Sequence, residues 1–120
     1  MQYHFADCVL DTGSFRLLRG GEVQAVEPQV FDLLCVLAEN AGALVSRDKL
    51  IETVWKGRIV SDATISARIN AARSAVGDDG KRQAVIRTVP RRGIELAVPV
   101  THEGAAAAGP RGSQVTRYTT

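Results

Sequence analysis

The side chains with most to offer a ligand lie between positions 62 and 92. Asn70 carries an amide that can pair two-fold with adenine, Arg68 can reach a guanine edge or a phosphate, and Ala67 and Ala71 present methyls suited to thymine. Asn70, Ala67 and Ala71, with Ala63, Ser66 and Ser74, form the face of one helical stretch opposite Ile65 and Ile69, with Thr64 and Arg68 at its edge. Small side chains there let a backbone approach closely, and the major groove of B-DNA, about 12 Å wide, admits such a helix. Further on, Arg91-Arg92 occupy a corner between two apolar runs, where a protruding loop can enter a minor groove or grip phosphates. The start of the same helix, at Asp62 and Ala63, can offer backbone N–H groups to a phosphate.

Each of these residues also has a plain structural reading. Arg68 and Asn70 could be ordinary exposed helix positions, and Arg91-Arg92 a solvated turn that keeps an edge hairpin soluble. Asp62 is expected first of all to cap its helix. Trp55 is expected to pack at the edge of the core, with its indole N–H as a secondary phosphate contact. Thr88 could serve β-propensity alone, and Asp78-Asp79, beside two glycines, is expected to form a helix-ending turn rather than a metal site.

The elements that must position these groups follow from periodicity. Tyr3, Phe5, Val9, Leu10, Phe15, Leu17, Leu18, Val23 and Val26, interrupted by Asp11-Thr12-Gly13-Ser14 and Gly20-Gly21, read as an antiparallel meander. From Pro28 the period becomes helical: Val30, Leu33, Leu34, Leu37 and Ala41, widened by Phe31, Cys35, Val36 and Ala38, make a helix apolar nearly all round and therefore central. Asn40-Ala41-Gly42 should close it in the left-handed region. Ser46 and Asp48 open a short second helix that buries Leu50, Ile51, Val54 and Trp55, and Ser61-Asp62 open a third along Ile65, Ile69, Ala72 and Val76. Gly77-Asp78-Asp79-Gly80 stops it. Val85–Val89 and Ile94–Val98 then read as a hairpin about the basic Pro90–Gly93 corner, the whole wing spanning about 84–98.

Composition bounds the rest. At 120 residues and 45% hydrophobic the chain holds one domain, placed at 1–100, with 101–120 read as a disordered tail or linker because Ala, Gly, Ser and Thr recur there without period. The formal net charge is only +2, but Lys56, Arg58, Arg68, Arg73, Lys81, Arg82, Arg87, Arg91 and Arg92 concentrate the basic potential in the second half. Neither a signal peptide nor a membrane-length apolar run is present, so a cytoplasmic, nucleoid-associated protein is expected, with no membrane contact within 1–120. Cys8 and Cys35 stand apart and are expected to be reduced, packed thiols; His4 and His102 are expected at the surface. G-x-S-x-G, H-E-x-x-H and Walker-type sequences are missing, so neither an enzyme, a metal, a cofactor nor a small-molecule substrate is expected.

On these residues the chain resembles the OmpR/PhoB-type winged-helix effector domain of bacterial response regulators. The likeness covers residues 2–100. Its markers are Leu10-Asp11; Pro28-x-x-Phe31-Asp32-Leu33-Leu34; Asn40 to Arg47; Leu50 with Val54-Trp55; Ser61-Asp62-Ala63-Thr64-Ile65; Arg73 with Gly77-Asp78; and Ile86-Arg87-Thr88-Val89-Pro90 leading to Arg92-Gly93. The resemblance implies an α+β winged helix-turn-helix: an N-terminal four-stranded antiparallel sheet, a three-helix core and a C-terminal β-hairpin wing. It implies a sequence-specific regulator of transcription that binds double-stranded DNA, in tandem or as a dimer with itself, with the third helix in the major groove. Groove contacts would fall on Thr64, Ala67, Arg68 and Ala71, joined by Asn70. Backbone and wing contacts would fall on Trp55, Arg73, Arg87, Thr88, Arg91 and Arg92. The loop Lys56, Gly57, Arg58, Ile59, Val60 matches a segment that can touch RNA polymerase, and the alternative to DNA binding is a winged helix serving as a protein-interaction module. Ile94 stands where the family usually has a wing Tyr, Ala72 where it often has Leu, and Ala63 and Ala71 where relatives often carry Arg. Weaker electrostatic binding, or more dependence on multivalency, is expected from this copy. A winged helix starting at the N-terminus resembles the ToxR/CadC-like one-component regulators, in which a linker and a further domain follow.

Overall fold

The expected meander forms, and its turns show why. In the computed structural model, which describes residues 1–41 and 43–103, β1 (Gln2–Phe5), β2 (Cys8–Asp11), β3 (Arg16–Arg19) and β4 (Glu22–Gln24) pair in sequence, all antiparallel. Gly20 and Gly21 both take positive φ, +60° and +85°, the tight two-residue hairpin that only residues tolerant of the left-handed region make cheaply. The Asp11 carboxylate accepts the N–H groups of Gly13 and Ser14 and folds the β2–β3 turn. Phe15 belongs to that turn rather than to the strand: its φ is +56° and its ring is 76% exposed, lying 5.9 Å from Phe31. Apolar character alone had placed it in the strand.

A fifth strand completes the sheet. Following the hairpin wing, β7 (Val100–Glu103) lies antiparallel against β1, giving the order β4-β3-β2-β1-β7. The boundary expected at residue 100 therefore falls inside a strand, and the tail reading of 104–120 lies outside the described residues.

The inward side chains of the sheet, Tyr3, Phe5, Cys8, Leu10 and Leu17, join those of α1 (Pro28–Glu39) in one core. Seven of the twelve α1 residues are buried, as its all-round apolar pattern requires. It closes otherwise than expected: Asn40 stays out of the left-handed region at φ −108°, and its side-chain amide donates to the Val36 carbonyl at 2.8 Å. Gly42 lies outside the described residues. Around α1 pack α2 (Arg47–Thr53), α3 (Asp62–Ala75) and the wing strand β6 (Gly93–Leu96), which pairs with β5 (Ile86–Val89) as a separate two-stranded sheet. Both thiols are free. Burial pushes Cys8 up to about 11 and Cys35 to about 12, so neither is a nucleophile near neutrality.

Candidate nucleic-acid interface

Capping sets where α3 begins. Ser61, not Asp62, is the cap: its hydroxyl accepts the Thr64 N–H at 3.1 Å, while the exposed Asp62 carboxylate turns to Arg47 on α2. The helix-turn-helix is thereby tied across its two N-termini by Arg47 and Asp62. Ser46 caps α2 in the same way, accepting from Lys49 at 3.1 Å.

Ile65 and Ala72 are buried on α3, and Ile69 is half-buried, while Ala63, Ser66, Ala67, Asn70, Ala71 and Ser74 are exposed. The expected slim flank is therefore open to solvent. Its cations, however, face inward. Arg68 is half-buried and donates through Nε to Gln29 Oε1 at 3.0 Å, with Glu27 at 3.9 Å. The same Gln29 oxygen accepts the Trp55 indole N–H at 3.2 Å, and Trp55 is only 4% exposed. Trp55 thus packs at the core as expected, and its indole N–H, expected as a secondary phosphate donor, is engaged by Gln29 in the free chain. Gln29 was not singled out from sequence, where it is one more polar residue in a first helical turn.

Arg73 is the larger surprise. It is 5% exposed, with Nε on the Ile86 carbonyl at 3.1 Å, Nη2 on Thr88 Oγ1 at 2.6 Å and Nη1 on Asn70 Oδ1 at 3.4 Å. It joins α3 to the wing instead of standing at the surface. Asp78, a turn residue as expected, has a second role: its carboxylate accepts N–H groups from Ala84, Val85 and Ile86 at 2.9, 2.9 and 3.0 Å and so fixes the root of β5. Burial opposes the charge, but those donors outweigh it and hold the group at about 2.

The wing itself runs Thr88 opposite Ile94 and Arg87 opposite Glu95, with Arg87 paired to that carboxylate. Ile94, in place of an aromatic, is buried and exchanges both backbone hydrogen bonds with Val45, at 2.8 and 3.0 Å. Gly93 (φ +144°) makes this approach possible, since a Cβ there would sit 2.0 Å from the Val45 oxygen. At the tip Arg91 (φ +66°) and Arg92 are exposed; the Arg92 backbone N–H donates to the Val89 carbonyl at 3.0 Å, and neither side chain makes a hydrogen bond or ion pair among the described residues. A cleft of about 420 Å³ separates the tip from the helices; Arg91 and Arg92 line one side, Ile65 and Ile69 of α3 and Ser46 and Arg47 of α2 the other. The basic loop thus meets α3 across this cleft on its Ile65–Ile69 side. The Lys56–Val60 loop leaves α2 with Lys56 and Gly57 at positive φ (+56°, +79°), and its Ile59 is fully exposed.

A helix-turn-helix backed by an arginine-tipped β-wing defines a winged-helix DNA-binding domain. Comparison with known proteins agrees. The family described as "Transcriptional regulatory protein, C terminal" matches residues 21–96. The transcriptional activator CadC of Escherichia coli is 38% identical over 86 residues, 71% of this chain but 17% of CadC, and the structure of its DNA-binding domain superposes with a TM-score of 0.71 at 33% identity, covering 83% of this chain and 94% of that one. The Thermotoga maritima response regulator DrrB, an OmpR/PhoB homolog, gives 0.72 at 34% identity over 79% of this chain and 43% of its own. The Klebsiella pneumoniae RstA DNA-binding domain, solved in complex with the RstA box, gives 0.72 at 26% identity, over 80% and 96%. The chain belongs to the OmpR/PhoB-type family of DNA-binding domains of transcriptional regulators.

Proposed function

We propose that this domain reads a specific duplex by laying the exposed flank of α3 in the major groove and setting Arg91 and Arg92 on the adjacent minor groove or its phosphates. The observation that carries the reading is a pair of features on neighbouring elements: α3 is bare of large side chains where it is exposed, and across the cleft that its Ile65 and Ile69 line, the wing tip holds two exposed arginines whose side chains are unpaired among the described residues. Ala67 and Ala71 are open for thymine methyls, Asn70 and Ser66 for base edges, and Thr64 and Arg68 lie at the rim. The domain's role is binding rather than catalysis, in the cytoplasm on chromosomal DNA. Selection from a random 30-base-pair duplex pool, followed by anisotropy titration against an unselected duplex, tests it. A preference of about a thousandfold or more is expected; equal affinity for both overturns sequence-specific binding.

One observation favours an additional contact. Ile59 stands fully exposed in a loop fixed at its start by the Gly57 N–H on the Ile51 carbonyl at 2.9 Å. We infer that Lys56–Val60 meets RNA polymerase while α3 is on DNA, and that two copies occupy neighbouring half-sites. Ile59→Ser should leave affinity for the selected duplex unchanged and lower transcription from a promoter carrying it.

A further inference from the structure

Arg73 is buried, yet three donors of its guanidinium reach groups on two elements: the exposed Asn70 on α3, and the buried Ile86 carbonyl and the exposed Thr88 on β5. Thr88 is exposed and its backbone N–H is taken by Gln83 Oε1 at 2.9 Å, so the donor it has left for a ligand is its hydroxyl. That hydroxyl accepts from Arg73 at 2.6 Å. An oxygen that accepts on its inner side has its own proton left for an outer acceptor, and a donor hydrogen-bonded to a cation is polarised toward giving that proton.

We propose that Arg73 is a positioning residue that acts on DNA through Thr88: it locks the wing to α3 and turns the Thr88 hydroxyl outward as a donor to a phosphate oxygen. The guanidinium itself touches no phosphate. This rests on the reading that α3 and the wing bind one duplex, but the lock exists without DNA and is measured separately.

The experiment has a free-protein arm and a DNA arm. In the free protein, the Arg73 Nε–H proton should exchange slowly and sharpen at neutral pH in a nitrogen-correlated NMR spectrum; exchange as fast as that of an exposed arginine would overturn the lock regardless of any DNA result. In the second arm, anisotropy titrations use the duplex recovered by selection from a random pool. Thr88→Ser should bind like the parent and Thr88→Val about fivefold more weakly. Arg73→Gln should lower affinity with the slope of log K against log salt unchanged, and adding Thr88→Val to it should cost nothing more. A slope reduced by about 0.9, the signature of one lost phosphate contact, or full additivity of the two substitutions, would make Arg73 a direct contact and sink the proposal. So would parental affinity in Thr88→Val, a variant whose exposed site keeps the fold intact if Arg73→Gln does not.

Discussion

Asp78 shows how much one side chain can hold. Its carboxylate caps three consecutive N–H groups at the root of β5, and burial, which alone would raise its pKa, loses to those hydrogen bonds, bringing it from 3.8 to about 2. Because the folded value lies below the unfolded one, the stabilisation is fully present above pH 4 and disappears as pH falls from there through 2. Asp78→Asn replaces an acceptor by a donor opposite backbone donors, so it should cost about 2 kcal/mol at pH 7 in urea unfolding, with the gap to the parent closing toward pH 2. A gap independent of pH would show that the charge contributes nothing. Asp78 was legible as a turn residue because Gly77-Asp78-Asp79-Gly80 is local chemistry. The cap was not, because its donors lie six to eight residues downstream and are ordinary alanine, valine and isoleucine by sequence. The enclosure of Arg73 was not legible for a related reason: an arginine on a helix reads as a surface cation, and only the position of β5 shows that acceptors surround it.

Elements with a strong internal period were readable: α1 from its apolar girth, α2 and α3 from their serine caps, and the wing strands from alternation about Pro90–Gly93. β7 was not, since Val100–Glu103 has no apolar alternation of its own and is a strand only because β1, almost a hundred residues earlier, offers it an edge. Gly93 lies between these cases. Its glycine was expected for a corner, but the stronger constraint comes from Val45, whose carbonyl oxygen would stand 2.0 Å from an added Cβ. Gly93→Ala should therefore break the Val45–Ile94 bridge and cost about 3 kcal/mol or more. Gly57→Ala is the control. That position has φ +79° but open space about it, so only backbone strain of about 1 kcal/mol is expected. Equal losses in the two variants by chemical denaturation would mean that the wing is not held by this close approach.

At the scale of the whole domain, the question is where enough positive charge comes from to hold a polyanion on a chain of net charge +2. The recognition helix supplies little: Arg68 is drawn to Gln29 and Glu27, Arg73 to the wing, and the exposed flank is alanine, serine and asparagine. Arg47 and Arg87 are paired with Asp62 and Glu95. Among the described residues the wing tip, with the Arg91 and Arg92 side chains, is therefore the main unpaired cationic feature beside α3, and affinity for a single half-site should be modest and only mildly salt-dependent. We expect log K to fall with log salt at a slope of about −2 to −4, against about −10 for a protein making many phosphate contacts. Arg91→Glu with Arg92→Glu should reduce that slope by about two units and weaken binding to selected and unselected duplexes alike, since phosphate contacts carry no sequence information. A duplex with two properly phased half-sites should recover affinity through effective concentration rather than new charge. Should the double reversal leave the slope and affinity as they were, the cations that hold DNA lie on another face, and α3 with the wing is not the surface that meets the duplex.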